Sequence, residues 1–151
     1  MRVTVALLGE HGLFYALIEQ VSHATKNAPD DVPALTRALA RALATHAEVE
    51  EATLFPALRP HLGPLGPIGV MEAEHRQIEE IVKRIAATDD PAQLRRYVDL
   101  LIEVCIDHFA KEEGILFHLA VRFLDDGELN RLGDSWAEFR HVNLQPLGCA
   151  A

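Results

Sequence analysis

The chain has 151 residues, of which 23 are Asp or Glu and 14 are Lys or Arg, so its formal net charge is −9. This length fits one domain, residues 1–151, with a sizeable core, and the negative charge would repel nucleic acid. Because no apolar run approaches the roughly 20 residues of a membrane span, and Glu10 and His11 come too early for a secretory signal, we expect a soluble cytoplasmic protein without nucleic acid or membrane partners.

Clusters of proline, glycine and aspartate divide the sequence into long segments with helical periodicity. They mark turns and lie around residues 26–33, 60–69, 88–91 and 125–128. Between them, apolar residues recur every three or four positions. This pattern predicts helices at about residues 3–26, 33–58, 69–87, 91–123 and 127–142. The prediction is an all-α fold, an antiparallel up-down four-helix bundle with a core of about residues 3–123 and a short additional C-terminal helix.

The first two predicted helices carry polar residues on their apolar faces. The first stripe reads Leu7, His11, Phe14, Ile18 and Val21, and the second reads Leu35, Leu39, Leu43, His46, Glu50 and Leu54. Residues four apart differ by only about 40° around a helix, so His46 and Glu50 can converge on one centre. Glu51, one position further round, is expected to point away. A buried Glu50 carboxylate needs a compensating partner.

The other two long helices repeat this arrangement. Their stripes are Met71, His75, Ile78, Val82 and Ile85, followed by Leu94, Tyr97, Leu101, Cys105, His108, Glu112 and Ile115. His108 and Glu112 have the spacing of His46 and Glu50. Glu113, like Glu51, is expected to point away.

Six polar residues fall near one level of the predicted bundle: His11, His46, Glu50, His75, His108 and Glu112. A single His/Glu pair at this spacing is usually a surface ion pair, and a lone core histidine is usually a hydrogen-bonded structural residue. Two pairs on apolar stripes, with two histidines at matching depth, instead predict a buried metal site. The ligand types suit iron, zinc or manganese. The remaining histidines lack such partners and are expected at the surface or in packing: His23, His61, His118 and His141.

The ordered motifs resemble the hemerythrin-like, or HHE cation-binding, domain. The residues that carry the resemblance are His11, HAEVE at 46–50, His75 and HFAKE at 108–112. The resemblance implies two non-haem iron ions, bridged by carboxylates and an oxo or hydroxo group. It also implies that the terminal ligands are His11, His46, His75 and His108. The bridging carboxylates that it implies are Glu50 and Glu112. This set is more similar to the di-iron domains of iron-sulfur cluster repair proteins than to oxygen carriers, which have a histidine where Met71 stands.

The resemblance and the ligand chemistry lead us to expect a small diatomic molecule or peroxide as the partner. The first hypothesis is a protein that binds or senses O₂, NO or peroxide. The alternatives are a catalase-like enzyme that decomposes peroxide, an iron or nitrosative-stress repair protein, and a bundle that the metal mainly stabilises. Apolar residues near the ligands would form a dry, narrow pocket: Phe14, Leu54, Phe55, Ile78, Phe109 and Leu116. Met71 is expected to line it without binding metal, Glu72 to face solvent and Tyr15 to serve packing.

Overall fold

The computed structural model describes residues 1–63 and 66–144, and all regular secondary structure in these residues is helical. The helices are α1 (Val3–Asn27), α2 (Val32–Ala52), α3 (Leu54–Leu62), α4 (Pro67–Ala87), α5 (Pro91–Lys111), α6 (Phe117–Phe123) and α7 (Asp126–Phe139). A short 3₁₀ helix, Pro29–Asp31, precedes α2, and a π-helical turn, Glu112–Leu116, joins α5 to α6. The prediction of an all-α fold is confirmed. Among the described helices, none has both the length and the apolar character needed to cross a membrane.

The second predicted helix is broken in two. α2 ends at Ala52 and α3 begins at Leu54, because Thr53 leaves the helical conformation with φ −122° and ψ −73°. Pro56 has no N–H with which to continue the helical hydrogen bonds back to Ala52. The Thr53 hydroxyl donates to the Val49 carbonyl oxygen at 2.6 Å, a side-chain bond that competes with regular helix formation. The prediction of one continuous helix is therefore wrong at this point.

The fourth predicted helix is interrupted by the π turn. Its last backbone bond joins the Phe117 N–H to the Glu112 carbonyl oxygen. Because a π turn holds one more residue than an α turn, Leu116 is buried while Ile115 is 53% exposed. The prediction that Ile115 belongs to the core stripe is wrong. Such turns are frequent at functional sites, and this one begins at Glu112.

The four long helices pack around a common interior. α1 and α4 each contact α2 and α5, an arrangement compatible with the predicted bundle. Two clusters of buried residues fill the interior. The upper core includes Phe14, Leu39, Leu43, Ile78, Leu101, Cys105 and Phe109. The lower core includes Leu7, Leu54, Phe55, Leu58, Ile68, Met71 and Leu116.

The C-terminal helix α7 packs against α1. It begins with a capping box, in which the Asp125 carboxylate accepts from the Glu128 N–H at 2.8 Å and the Glu128 carboxylate accepts from the Asp125 N–H at 3.0 Å. Gly133 lies where the N-terminus of the chain crosses α7, and a Cβ there would be 1.8 Å from the Met1 carbonyl oxygen. A glycine is needed for this close approach, so Gly133 allows α7 to pack against the start of the chain.

Candidate metal centre

The six residues predicted as ligands come together where the upper core meets the lower core. Each is at most 9% exposed: His11, His46, Glu50, His75, His108 and Glu112. Buried polar groups require partners. The contacts among these side chains therefore show whether the site is suited to bind a cation.

Glu112 lies between the two histidines from α1 and α5. Its Oε2 is 3.1 Å from His11 Nε2, and its Oε1 is 3.2 Å from His108 Nε2. The same Oε2 is 3.9 Å from His46 Nε2. The Glu112 carboxylate thus faces three of the four histidines.

Glu50 occupies the corresponding place on the other side of the centre. Its Oε2 is 3.5 Å from His46 Nε2 and 3.4 Å from His75 Nε2. Each inner carboxylate therefore lies between histidines of different helices. A carboxylate in this position can share a cation with histidines of two helices.

Most of the atoms that face the centre have no hydrogen-bond partner among the described residues. They are His11 Nε2, His46 Nε2, His75 Nε2 and both carboxylate oxygens of Glu50 and Glu112. Buried groups left in this state would be strongly unfavourable, whereas cations between them would satisfy all of them. Imidazole nitrogen and carboxylate oxygen are suitable ligands for iron. Two groups, whose ligand atoms lie within 4.8 Å of one another, could each hold an ion: Glu50, His75, His108 and Glu112, and His11, His46 and Glu112.

Four outer glutamates fix the opposite edges of the histidine rings. Each Nδ1 is hydrogen-bonded to a carboxylate from a neighbouring segment: His11 to Glu113 at 2.9 Å, His46 to Glu10 at 2.6 Å, His75 to Glu51 at 2.9 Å and His108 to Glu74 at 3.0 Å. Because a carboxylate accepts, Nδ1 carries the proton and donates it. When Nε2 carries no proton, its lone pair is directed to the centre, which is the tautomer that a metal needs.

The positions of the outer glutamates follow from helix geometry. Adjacent residues differ by about 100° of rotation around a helix. In a bundle, the side chain next to an inward-facing residue therefore points to the boundary with a neighbouring helix. Glu10 and Glu74 precede an inner histidine, and Glu51 and Glu113 follow an inner glutamate. The offset is thus −1 on α1 and α4 and +1 on α2 and beyond α5. With these opposite offsets, all four outer glutamates can point the same way around a bundle, each toward the next helix, only if neighbouring helices run in opposite directions.

This arrangement corrects one prediction and adds two residues. Glu51 and Glu113 do lie away from the Nε2 atoms, but the expectation that they point away from the site is wrong, because each contacts a histidine of the next helix. Sequence reasoning missed Glu10 and Glu74. The available signal was a glutamate next to one inner residue of each long predicted helix, before it in the first and third and after it in the second and fourth.

The two inner carboxylates have different electrostatic surroundings. Burial and the charge of Glu112 raise the pKa of Glu50. Burial also acts to raise the pKa of Glu112, but its contacts with His108 and His11 outweigh burial and lower that pKa well below the ordinary value. Burial lowers the pKa of His46, but the Glu50 charge and the bond to Glu10 outweigh it and raise this pKa to about 10. Metal binding must therefore displace protons.

A cavity of about 620 Å³ lies between α2 and α4 and reaches the histidines of the centre. His46, His75 and His108 form its inner end, and small side chains of α2 line its wall: Ala40, Ala44 and Ala47. Of the six residues predicted to form a dry pocket, Ile78 and Phe109 line this cavity. The other four lie in the two cores: Phe14, Leu54, Phe55 and Leu116.

Three further residues considered from the sequence lie outside the two groups of potential ligands: Tyr15, Glu72 and Met71. The Tyr15 hydroxyl donates to Glu113 Oε1 at 3.1 Å, and burial together with Glu113 raises the pKa of Tyr15 to about 12. Glu72 forms an ion pair with Arg59 and lines the cavity. Met71 is buried in the lower core. The histidines assigned to the surface are exposed: His23, His61, His118 and His141.

The chain matches a known family of cation-binding domains. The family model of the hemerythrin HHE cation binding domain matches residues 2–120. This range contains the six inner residues and the four outer glutamates. It ends before α7.

Curated relatives are iron-sulfur cluster repair proteins. The chain is 27% identical over 117 residues to the iron-sulfur cluster repair protein YtfE of Escherichia coli O139:H28 and 28% identical over 117 residues to those of Salmonella paratyphi B and Salmonella newport. These alignments cover 69% of this chain and 53% of each relative, so the chain spans about half the length of the curated relatives it matches. No solved structure matches the chain.

Proposed function

Because the chain belongs to the hemerythrin HHE cation-binding family, we propose that it holds two non-haem iron ions and binds or senses O₂, NO or peroxide. The site lies within an antiparallel four-helix bundle of α1, α2, α4 and α5, an arrangement that the alternating offsets of the outer glutamates support. The observation that carries the proposal is the set of buried, unpartnered nitrogen and oxygen atoms that face one centre.

The arrangement of the ligands favours two ions over one. Two groups of potential ligands share Glu112, and six ligands exceed the needs of one tetrahedral zinc ion. Glu50 and Glu112 supply negative charge on opposite sides of the centre. The histidines supply neutral nitrogen donors whose orientation is fixed by the outer glutamates. Bound iron would supply open coordination positions and one-electron chemistry for a small ligand.

The cavity between α2 and α4 provides access for such a ligand. Apolar side chains, among them Ile78 and Phe109, line part of the cavity. Its charged residues are mainly acidic: Glu48, Glu51, Glu72 and Glu79 against Arg76. Negative charge along the path disfavours anions. Uncharged O₂, NO and hydrogen peroxide are therefore the molecules that the entrance suits.

Binding of nitric oxide tests this function. NO added to the reduced, iron-loaded protein is expected to produce new visible absorption within the mixing time of a stopped-flow experiment. Ala47→Phe places a ring in the cavity beside His46 and is expected to slow the change by roughly tenfold, with unchanged iron content. Ala38→Phe, on the exposed surface of the same helix, is the matched control and should react like the wild type.

One result would contradict the proposed ligand role, and another would contradict only the proposed entrance. The first is an iron-loaded protein whose spectrum does not change with NO. The second is equal reaction rates of Ala47→Phe and the wild type, which would exclude the cavity as the entrance. Rapid release of O₂ from peroxide would instead indicate the catalase-like enzyme.

Similarity to iron-sulfur cluster repair proteins favours a second candidate function. The inner and outer residues all lie in the region matched by the family, and the relatives share 27–28% identity with this chain. A repair role predicts that the iron-loaded chain restores an iron-sulfur enzyme damaged by NO. The same protein stripped of iron is the control, and equal recovery with both would contradict repair.

A further inference from the structure

The C-terminal helix α7 reaches the metal centre through Glu10. Trp136 Nε1 donates to Glu10 Oε1 at 2.8 Å. Arg140 donates from Nε to Oε1 at 2.5 Å and from Nη2 to Oε2 at 2.8 Å. Glu10 Oε2 also accepts from His46 Nδ1 at 2.6 Å. A continuous chain of hydrogen bonds therefore connects the end of α7 with an inner histidine.

Glu10 is held more completely than the other outer glutamates in the described chain. Glu74 is held by the Lys111 ammonium, and Glu113 accepts from the Tyr15 hydroxyl. A guanidinium that donates two nearly parallel hydrogen bonds fixes both the position and the orientation of a carboxylate. An ammonium or a hydroxyl fixes one contact only. Arg140 is therefore suited to orient Glu10.

Burial makes this arrangement effective. The side chains of Glu10 and Arg140 are 13% and 21% exposed, and that of His46 is 2% exposed. Water therefore has little access with which to replace the contacts. Both carboxylate oxygens of Glu10 therefore have hydrogen-bond donors that water cannot easily displace.

We propose that Arg140 and Trp136 are positioning residues for His46, so that α7 determines how firmly one half of the metal centre holds its ion. The inference rests on the proposed function, since it requires His46 to be a ligand. α7 lies beyond the range that the family matches, so this control belongs to the chain's own C-terminal helix. His46 groups with His11 and Glu112, and the effect is expected at that ion only.

Cobalt(II) loaded into the full chain tests the proposal. Each histidine ligand that retains its Nδ1 proton is expected to give one paramagnetically shifted, solvent-exchangeable NMR signal, so the four Nδ1 donors predict four signals. Arg140→Gln is expected to speed water exchange of one signal and weaken cobalt binding at one of two sites by roughly 10–100-fold. Glu10→Gln identifies that signal as the one from His46.

Three further variants separate positioning from charge and from general damage. Arg140→Lys keeps the charge without the planar fork and should resemble Arg140→Gln. Trp136→Phe, which loses one donor but keeps an aromatic ring against α1, should show a smaller change in the same signal. Arg131→Gln, at an exposed position of α7, should retain all four signals.

Four unchanged signals and unchanged cobalt affinity in Arg140→Gln would overturn the proposal. Full recovery in Arg140→Lys would also overturn it, because charge alone would then suffice. A wild-type chain that takes up no cobalt would contradict the metal centre itself, and with it the role of Arg140. If the wild type binds two ions and Arg140→Gln behaves like it, the proposed function stands and only the role of α7 is rejected.

Discussion

Glu112→Gln is expected to lower the iron content from about two ions per chain to less than roughly half an ion, because Glu112 belongs to both ligand groups and an amide cannot supply the negative charge. Its oxygens face histidines of three helices. Metal analysis of protein purified from iron-replete cells measures the loss. No other substitution of one inner residue is expected to have as large an effect.

Two variants calibrate this result. Glu50 belongs to one of the two groups, so Glu50→Gln is expected to retain about one ion. Glu103→Gln, at an exposed position of α5, is the matched control and should retain the full content. Equal iron in Glu112→Gln and Glu103→Gln would show that Glu112 is not a shared ligand.

Removal of the metal by a chelator is expected to lower the Tm by about 10 °C. A site occupied at roughly 1,000 times its Kd contributes about 4 kcal/mol, and each kcal/mol shifts the Tm of a chain of this size by about 2–4 °C. Metal-free protein also leaves the inner carboxylates and imidazoles buried without partners. Thermal unfolding followed by circular dichroism, with and without chelator, measures the change.

The helices themselves should survive chelation at 25 °C, because the upper and lower cores do not depend on the metal. The matched control is Glu112→Gln, whose Tm a chelator should leave unchanged. Complete unfolding of the wild type on chelation would support the alternative in which the metal mainly stabilises the fold. An unchanged Tm would argue against a buried metal at this centre.

The sequence contained the signals for the helices and for the convergence of the inner residues. His46 and Glu50 stand out because they interrupt an apolar stripe, and a stripe is a property of one helix that its periodicity reveals. Helix continuity was harder to judge. The break at Thr53 depends on a side-chain bond to Val49 and on Pro56, and the π turn that exposes Ile115 has no periodic signature.

The outer carboxylates could not be found by considering each helix alone. On a single helix, Glu51 lies about 100° away from Glu50, on the side expected to face solvent. In the folded chain, however, a neighbouring helix supplies His75 at that position. The contact between Arg140 and Glu10 joins residues 130 positions apart. No local pattern links them, because their meeting depends on how α7 packs against α1.

Metal analysis combined with an optical spectrum of the purified chain tests the di-iron centre most directly. The six proposed ligands, arranged in two groups that share Glu112, predict about two irons per chain and visible charge-transfer absorption in the oxidised state. One zinc per chain with no visible absorption would contradict the di-iron centre.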